Sequence, residues 1–211
     1  MASVLIIDDH PIVLQGCRRI LQDAGVETIL EARDIVGGYR LYRRHRPEVV
    51  IVDLELHHRG LGGLSLIQRI HARNARTRIL VLSMHSDPAI VARSLEAGAL
   101  GFVNKDTSSD ELVRAFEQVS AGTPYLNSDL AMQVALARTG LKRNPLDDLT
   151  PRQLQTLGLL AKGKPYGEIA QDLNLSYKTV ANVCSELKHK LAARNLPDLI
   201  RIAVQLVAGA P

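Results

Sequence analysis

Cysteine is scarce in this 211-residue chain, long apolar runs are absent, and no basic leader precedes the first apolar stretch. The two cysteines, Cys17 and Cys184, lie far apart without a CxxC or Cys/His spacing, which argues against a disulfide framework or a zinc site and reads as buried thiols. No apolar run reaches the roughly 18 residues that a membrane helix requires. Met1 passes straight into apolar residues with no basic stretch of a secretory signal. A soluble cytoplasmic protein with no membrane partner is expected. With 46% apolar and 23% charged residues, intrinsic disorder is not the default either.

Charge is distributed unevenly. Residues 1–121 hold 15 Lys/Arg and 15 Asp/Glu, residues 122–148 three of each, and residues 149–211 eight against four, so the net charge of +4 falls entirely at the C-terminal end. A small basic domain behind a neutral one suits a binder of phosphate backbones, provided a motif supports it.

Apolar runs at Val4–Ile7, Thr28–Leu30, Val49–Val52, Ile79–Leu82 and Leu100–Val103 alternate with amphipathic stretches opened by Pro11 and Pro88. This is the signature of a parallel sheet covered on both faces, and residues 1–121 read as a doubly wound, five-stranded α/β domain. Residues 122–148, broken by Gly122, Pro124, Gly140 and Pro145 around a helical piece at 130–138, read as a linker. Beyond Leu149 no strand pattern returns. Four helical repeats of Leu, Ile and Val predict a small all-α domain over residues 149–211.

Ligands of doubly wound sheets sit outside the carboxyl ends of the strands. Asp8 and Asp9 follow the first strand, Asp53 the third, Ser83 the fourth, and Lys105 follows the fifth after Asn104. Three carboxylates at one edge repel each other, and an oxygen-liganded divalent cation, Mg²⁺ above all, relieves the repulsion. An aspartate nucleophile, a metal and a lysine together suit phosphoryl transfer. Each acid alone would pass as a helix cap, and it is their joint placement that carries the reading.

In this combination residues 3–121 resemble the receiver domain of two-component response regulators. The resemblance implies that Asp53 is the phosphoacceptor for a sensor histidine kinase, that Asp8, Asp9 and Asp53 hold Mg²⁺ with the carbonyl of Glu55, and that Ser83 and Lys105 meet the phosphoryl group. Ser83 and Phe102 match the switch positions. Where the family usually has a methionine, a proline and a short turn, this chain reads Leu54-Glu55-Leu56-His57-His58-Arg59-Gly60, a longer loop without proline. The His57-His58 pair lacks a third spaced ligand for a transition metal. His10 and His85 border the expected pocket.

The segment Leu149–Leu191 resembles the NarL/FixJ, or LuxR-type, helix-turn-helix. Ser176 is placed to cap a helix whose Val180, Val183, Leu187 and Leu191 share one face and whose Lys178, Asn182, Ser185 and His189 share the other, Lys188 flanking. The polar face, with Thr179, is the candidate reader of double-stranded DNA. Ala181, Val183 and Gln153 depart from the usual Lys, His and Glu, which predicts an unusual DNA preference. The last helix, by resemblance, makes a homodimer. The main expectation is thus a phosphorylation-controlled transcription factor, not an enzyme. The alternatives are a phosphorylation-independent transcription factor with an atypical receiver, suggested by the altered loop, and a metal-dependent phosphohydrolase.

Overall fold

β-branched runs become strands and the amphipathic runs between them helices in the computed structural model, which describes residues 3–56, 61–84, 86–138, 145–146 and 148–207. The first domain runs β1 (Ser3–Ile7), α1 (Pro11–Asp23), β2 (Thr28–Ala32), α2 (Ile35–His45), β3 (Val49–Val52), α3 (Gly62–Arg73), β4 (Arg78–Ser83), α4 (Pro88–Glu96), β5 (Gly101–Asn104) and α5 (Ser109–Ser120). All strand pairs are parallel, in the order β2-β1-β3-β4-β5. β1 therefore lies inside the sheet, with Ile7 opposite both Ala32 and Val52. The chain reverses its direction of winding there, which opens a crevice beyond the ends of β1 and β3.

Alternation along the strands divides the core into two layers. Val4, Ile6, Val49, Ile51, Leu80 and Leu82 pack with α1 and α5, through Leu14, Leu21, Leu112 and Phe116. Leu5, Ile7, Val50, Val52, Ile79 and Val81 pack with α2, α3 and α4, through Tyr42, Ile67, Ile70 and Ile90. Helix starts follow from local chemistry: Asp34 caps α2 by accepting from Gly37 N at 2.7 Å, Asp87 caps α4 ahead of Pro88, and Ser108 caps α5. Cys17 is buried between α1 and the sheet, and burial, with the Asp8 charge, pushes its thiol up to about 11.

The stretch read as a linker contributes more order than its composition suggests. Tyr125 bridges to β5, its carbonyl accepting from Phe102 N at 3.0 Å, and α6 (Ser128–Arg138) packs on α4 through Leu130 and Val134. Arg93 of α4 donates to the Leu146 carbonyl at 2.8 Å. The second domain comprises α7 (Pro151–Ala161), α8 (Tyr166–Asp172), α9 (Tyr177–Lys190) and α10 (Leu196–Val207), the four helices expected. Their core of Leu154, Leu157, Ile169, Val180, Leu187, Leu199 and Ala203 is continuous with that of α6 and α4. Among the described residues no helix is long and apolar enough to cross a membrane.

Candidate phosphoacceptor pocket and reading helix

Four segments deliver the predicted residues to one edge of the sheet. Lys105 Nζ lies 2.7 Å from Asp8 Oδ2 and 2.8 Å from Asp53 Oδ2, and all three side chains are under a tenth exposed. One oxygen or nitrogen each from Asp8, Asp9, His10 and Asp53 falls within 4.8 Å of the others, a set fit to surround one cation. His10 Nδ1 sits 3.0 Å from Asp8 and 3.1 Å from Asp9, so this histidine belongs to the cluster it was expected only to border. His57, His58 and His85 lie outside the described residues.

Electrostatics in the pocket follow from burial. Desolvation pushes Asp53 up to about 6, against the pull of the Lys105 ammonium. Burial alone would lower Lys105, but Asp53 and Asp8 outweigh it and its pKa is raised, so the lysine keeps its charge. Among the described residues one ammonium thus faces three carboxylates, and the donor set matches a hard divalent cation.

Ser83 is fully buried at the end of β4, and its carbonyl accepts from Lys105 N at 2.9 Å, which ties the two residues' backbones together at the sheet edge. Phe102 points into the core at 1% exposure. Leu54 and Leu56 are buried, which anchors the loop after Asp53 although it lacks proline. Close approach of α3 anchors it too: Gly63 N donates to Leu54 O at 2.9 Å, and a Cβ at Gly63 would stand 2.3 Å from Asp53 O. The Glu55 side chain turns to the other domain, pairing with Lys162 Nζ at 3.1 Å, while its backbone hydrogen-bonds Asp53. Gln155 Nε2 reaches Ser65 Oγ at 3.1 Å beside it.

In the second domain, Asn174 takes a left-handed φ of 53° to turn the chain between α8 and α9, and Ser176 Oγ accepts from Thr179 N at 3.1 Å. α9 buries Val180, Val183, Cys184 and Leu187 and exposes Lys178, Thr179, Asn182, Ser185 and His189, with Lys188 half-buried. That polar face is exposed among the described residues, and the receiver meets this domain through α7. Val183 belongs to the core, so its departure from the family pattern leaves the exposed face unaltered. Gln153 has a local logic. It closes a capping box with Thr150, accepts from Lys190 Nζ at 2.9 Å and donates to Glu186 Oε2 at 2.8 Å, a bond that an ionised glutamate could not give.

Fold and pocket together define a receiver domain followed by a helix-turn-helix domain. Residues 4–117 match the model of the response regulator receiver domain, and residues 147–203 that of the bacterial regulatory proteins of the luxR family. The chain belongs to the two-component response regulators that join a receiver to a LuxR-type DNA-binding domain. It is 37% identical over 207 residues to the methanol utilization control regulatory protein MoxX of Paracoccus denitrificans, covering 98% of this chain and 93% of that one. It is 32% identical over 208 residues to the response regulator UvrY of Escherichia coli K12, covering 97% and 94%. RcsB of Salmonella enterica serovar Typhimurium, solved on the promoter rprA with the phosphomimetic BeF3-, superposes with a TM-score of 0.72 at 30% identity, covering 96% of this chain and 98% of that one.

Proposed function

We propose that Asp53 accepts a phosphoryl group from a phosphohistidine of a sensor kinase, and that the phosphorylated chain pairs as a homodimer on double-stranded DNA to control transcription. The observation that carries this reading is the bridge of Lys105 across Asp8 and Asp53 inside a cluster of three carboxylates. An Asp53 oxygen forms the new bond to phosphorus as the phosphorus–nitrogen bond of the phosphohistidine breaks, leaving the imidazole with the electron pair. Asp8, Asp9 and Asp53, with the backbone carbonyl of Glu55, would hold Mg²⁺, which supplies charge neutralisation to the transferring oxygens. Lys105 gives up Asp53 as its partner and turns its ammonium to a phosphoryl oxygen, and the Ser83 hydroxyl donates to another. Phe102, on β5 two residues before Asn104, the register partner of Ser83, is the ring through which the change is passed toward the dimer surface.

On DNA, the exposed Lys178, Thr179, Asn182 and Ser185 of α9, with the half-buried Lys188, are the groups for the major groove, Asn182 suited to adenine and the lysines to guanine or phosphate. RcsB dimers solved on DNA support two such helices on paired half-sites, with α10 as the pairing element.

Incubation with acetyl phosphate and magnesium, read by intact mass, tests the first step: one phosphoryl group is expected on the wild type and none on Asp53→Ala. Absence of the adduct from the wild type overturns phosphorylation at Asp53, and DNA affinity unaffected by the adduct makes the chain a phosphorylation-independent factor. Enrichment from a random DNA pool reads the sequence preference, and loss of the preference in Asn182→Ala is expected.

A further inference from the structure

Although residues 1–121 balance 15 basic against 15 acidic residues, the charge inside the receiver is polarised. Residues 39–48 and 69–78 carry eight arginines and one acid, Glu48. These two stretches meet at the end of the sheet opposite Asp53, where α2 and α3 finish and β3 and β4 begin. Between them lies a hollow of about 410 Å³, bordered by exposed Arg43, Arg46 and Arg73 and by buried Tyr42, Pro47 and Thr77. A second hollow of about 350 Å³ continues from Arg46 to Arg76 and Arg78.

Helix C-termini attract cations, and part of this charge serves that end, but magnitude decides against it as the whole account. Two helix ends contribute roughly one negative charge together, and Glu48 one more, against eight guanidinium groups. Of these, Arg78 pairs with Glu48 at 3.9 Å and Arg69 stacks on Tyr39, while Arg43, Arg46, Arg73 and Arg76 form no ion pair among the described residues. Keeping four like charges at one pole costs stability unless an anion joins them. The Tyr42 and Thr77 hydroxyls are bonded to each other at 2.7 Å, which holds α2 against the start of β4 and fixes the hollow beneath the arginines. Its size is that of a small-molecule site, too confined for a duplex, and arginine forks match phosphate oxygens in pairs.

We propose that this arginine-lined hollow binds the oligophosphate chain of a small ligand, supplied either as inorganic polyphosphate or as a nucleoside polyphosphate. Arg43, Arg46 and Arg73 grip the phosphates in the larger hollow, and Arg76 extends the grip to the smaller one.

The test is calorimetric titration of the full chain with inorganic triphosphate in metal-free buffer, repeated with a nucleoside triphosphate. Binding by the wild type is expected, weakened at least about tenfold in Arg43→Ala/Arg73→Ala, as the loss of charge-assisted bonds implies. Lys178→Ala/Lys188→Ala should bind as the wild type does, and both variants should take phosphate from acetyl phosphate at Asp53 normally, which certifies the fold. The Arg43→Lys/Arg73→Lys variant, charged but without the forks, is expected to be weakened as well. Equal affinity for the two probes identifies the phosphate chain as the whole determinant, and tighter nucleoside binding adds the nucleoside to it. The proposal is overturned if the wild type does not bind, if Arg43→Ala/Arg73→Ala binds equally well, or if that variant loses affinity for duplex DNA while keeping triphosphate.

Discussion

Replacing Lys105 by methionine removes the ammonium that, among the described residues, faces both Asp8 and Asp53, while keeping the length and most of the packing of the side chain. Asp8 and Asp53 are each 2% exposed in their side chains, so the substitution leaves two carboxylates buried without their counter-charge. Breaking a buried pair in this way typically costs about 3–5 kcal/mol. Here the loss is expected near 3 kcal/mol, because Asp53 can escape by taking a proton, its pKa already standing at about 6. Urea unfolding followed by circular dichroism at neutral pH, in chelator and then in millimolar magnesium, measures it. The cation replaces the missing charge, so magnesium should recover much of the deficit, and Asp53→Asn added to Lys105→Met should recover part of it without metal. A loss under about 1 kcal/mol, the scale of an exposed ion pair, or a deficit indifferent to both magnesium and Asp53→Asn would refute the electrostatic account of the pocket.

Gly63→Ala should destabilise the receiver by about 2 kcal/mol and slow acetyl-phosphate labelling, since the new methyl group must push α3 away from the Asp53 carbonyl; labelling at the wild-type rate would contradict that. Gln153→Glu should cost the second domain about 1–2 kcal/mol by setting a carboxylate against Glu186, and Glu186→Gln should restore it, both read from denaturant midpoints. Magnesium affinity, measured by calorimetry, should fall as pH drops through about 6, because the cation needs the Asp53 carboxylate and competes with its proton. The sign follows from a folded-state pKa above that of a free carboxylate: without metal, ionised Asp53 opposes folding above that range, and the cost vanishes below the unfolded value.

The alternation of β-branched and amphipathic runs made the sheet legible, down to the bounds of Val49–Val52, since a fully buried strand has no polar residue to blur its ends. β2 looks shorter in the sequence because Glu31 interrupts its apolar run, yet Glu31 pairs with Arg18 at the sheet edge and the strand continues to Ala32. The pocket residues were legible because topology alone brings strand ends together. The contact of His10 with Asp8 depends on a turn that no periodicity reveals. Helix α6 left a faint pattern because Met132 and Leu136 stand exposed opposite Leu130 and Val134. The Glu55–Lys162 contact, between residues distant in sequence, had no local signal at all. The arginine pole vanished in a domain-wide balance of charge that only the folded chain resolves into ends.

An unobstructed α9 changes what a signal has to accomplish. With Lys178, Asn182 and Ser185 facing solvent among the described residues, the proposed regulation acts on the encounter of two chains. On the proposed function, abundance can then substitute for stimulus: raising the concentration of the unphosphorylated chain is expected to drive the same pairing on DNA by mass action.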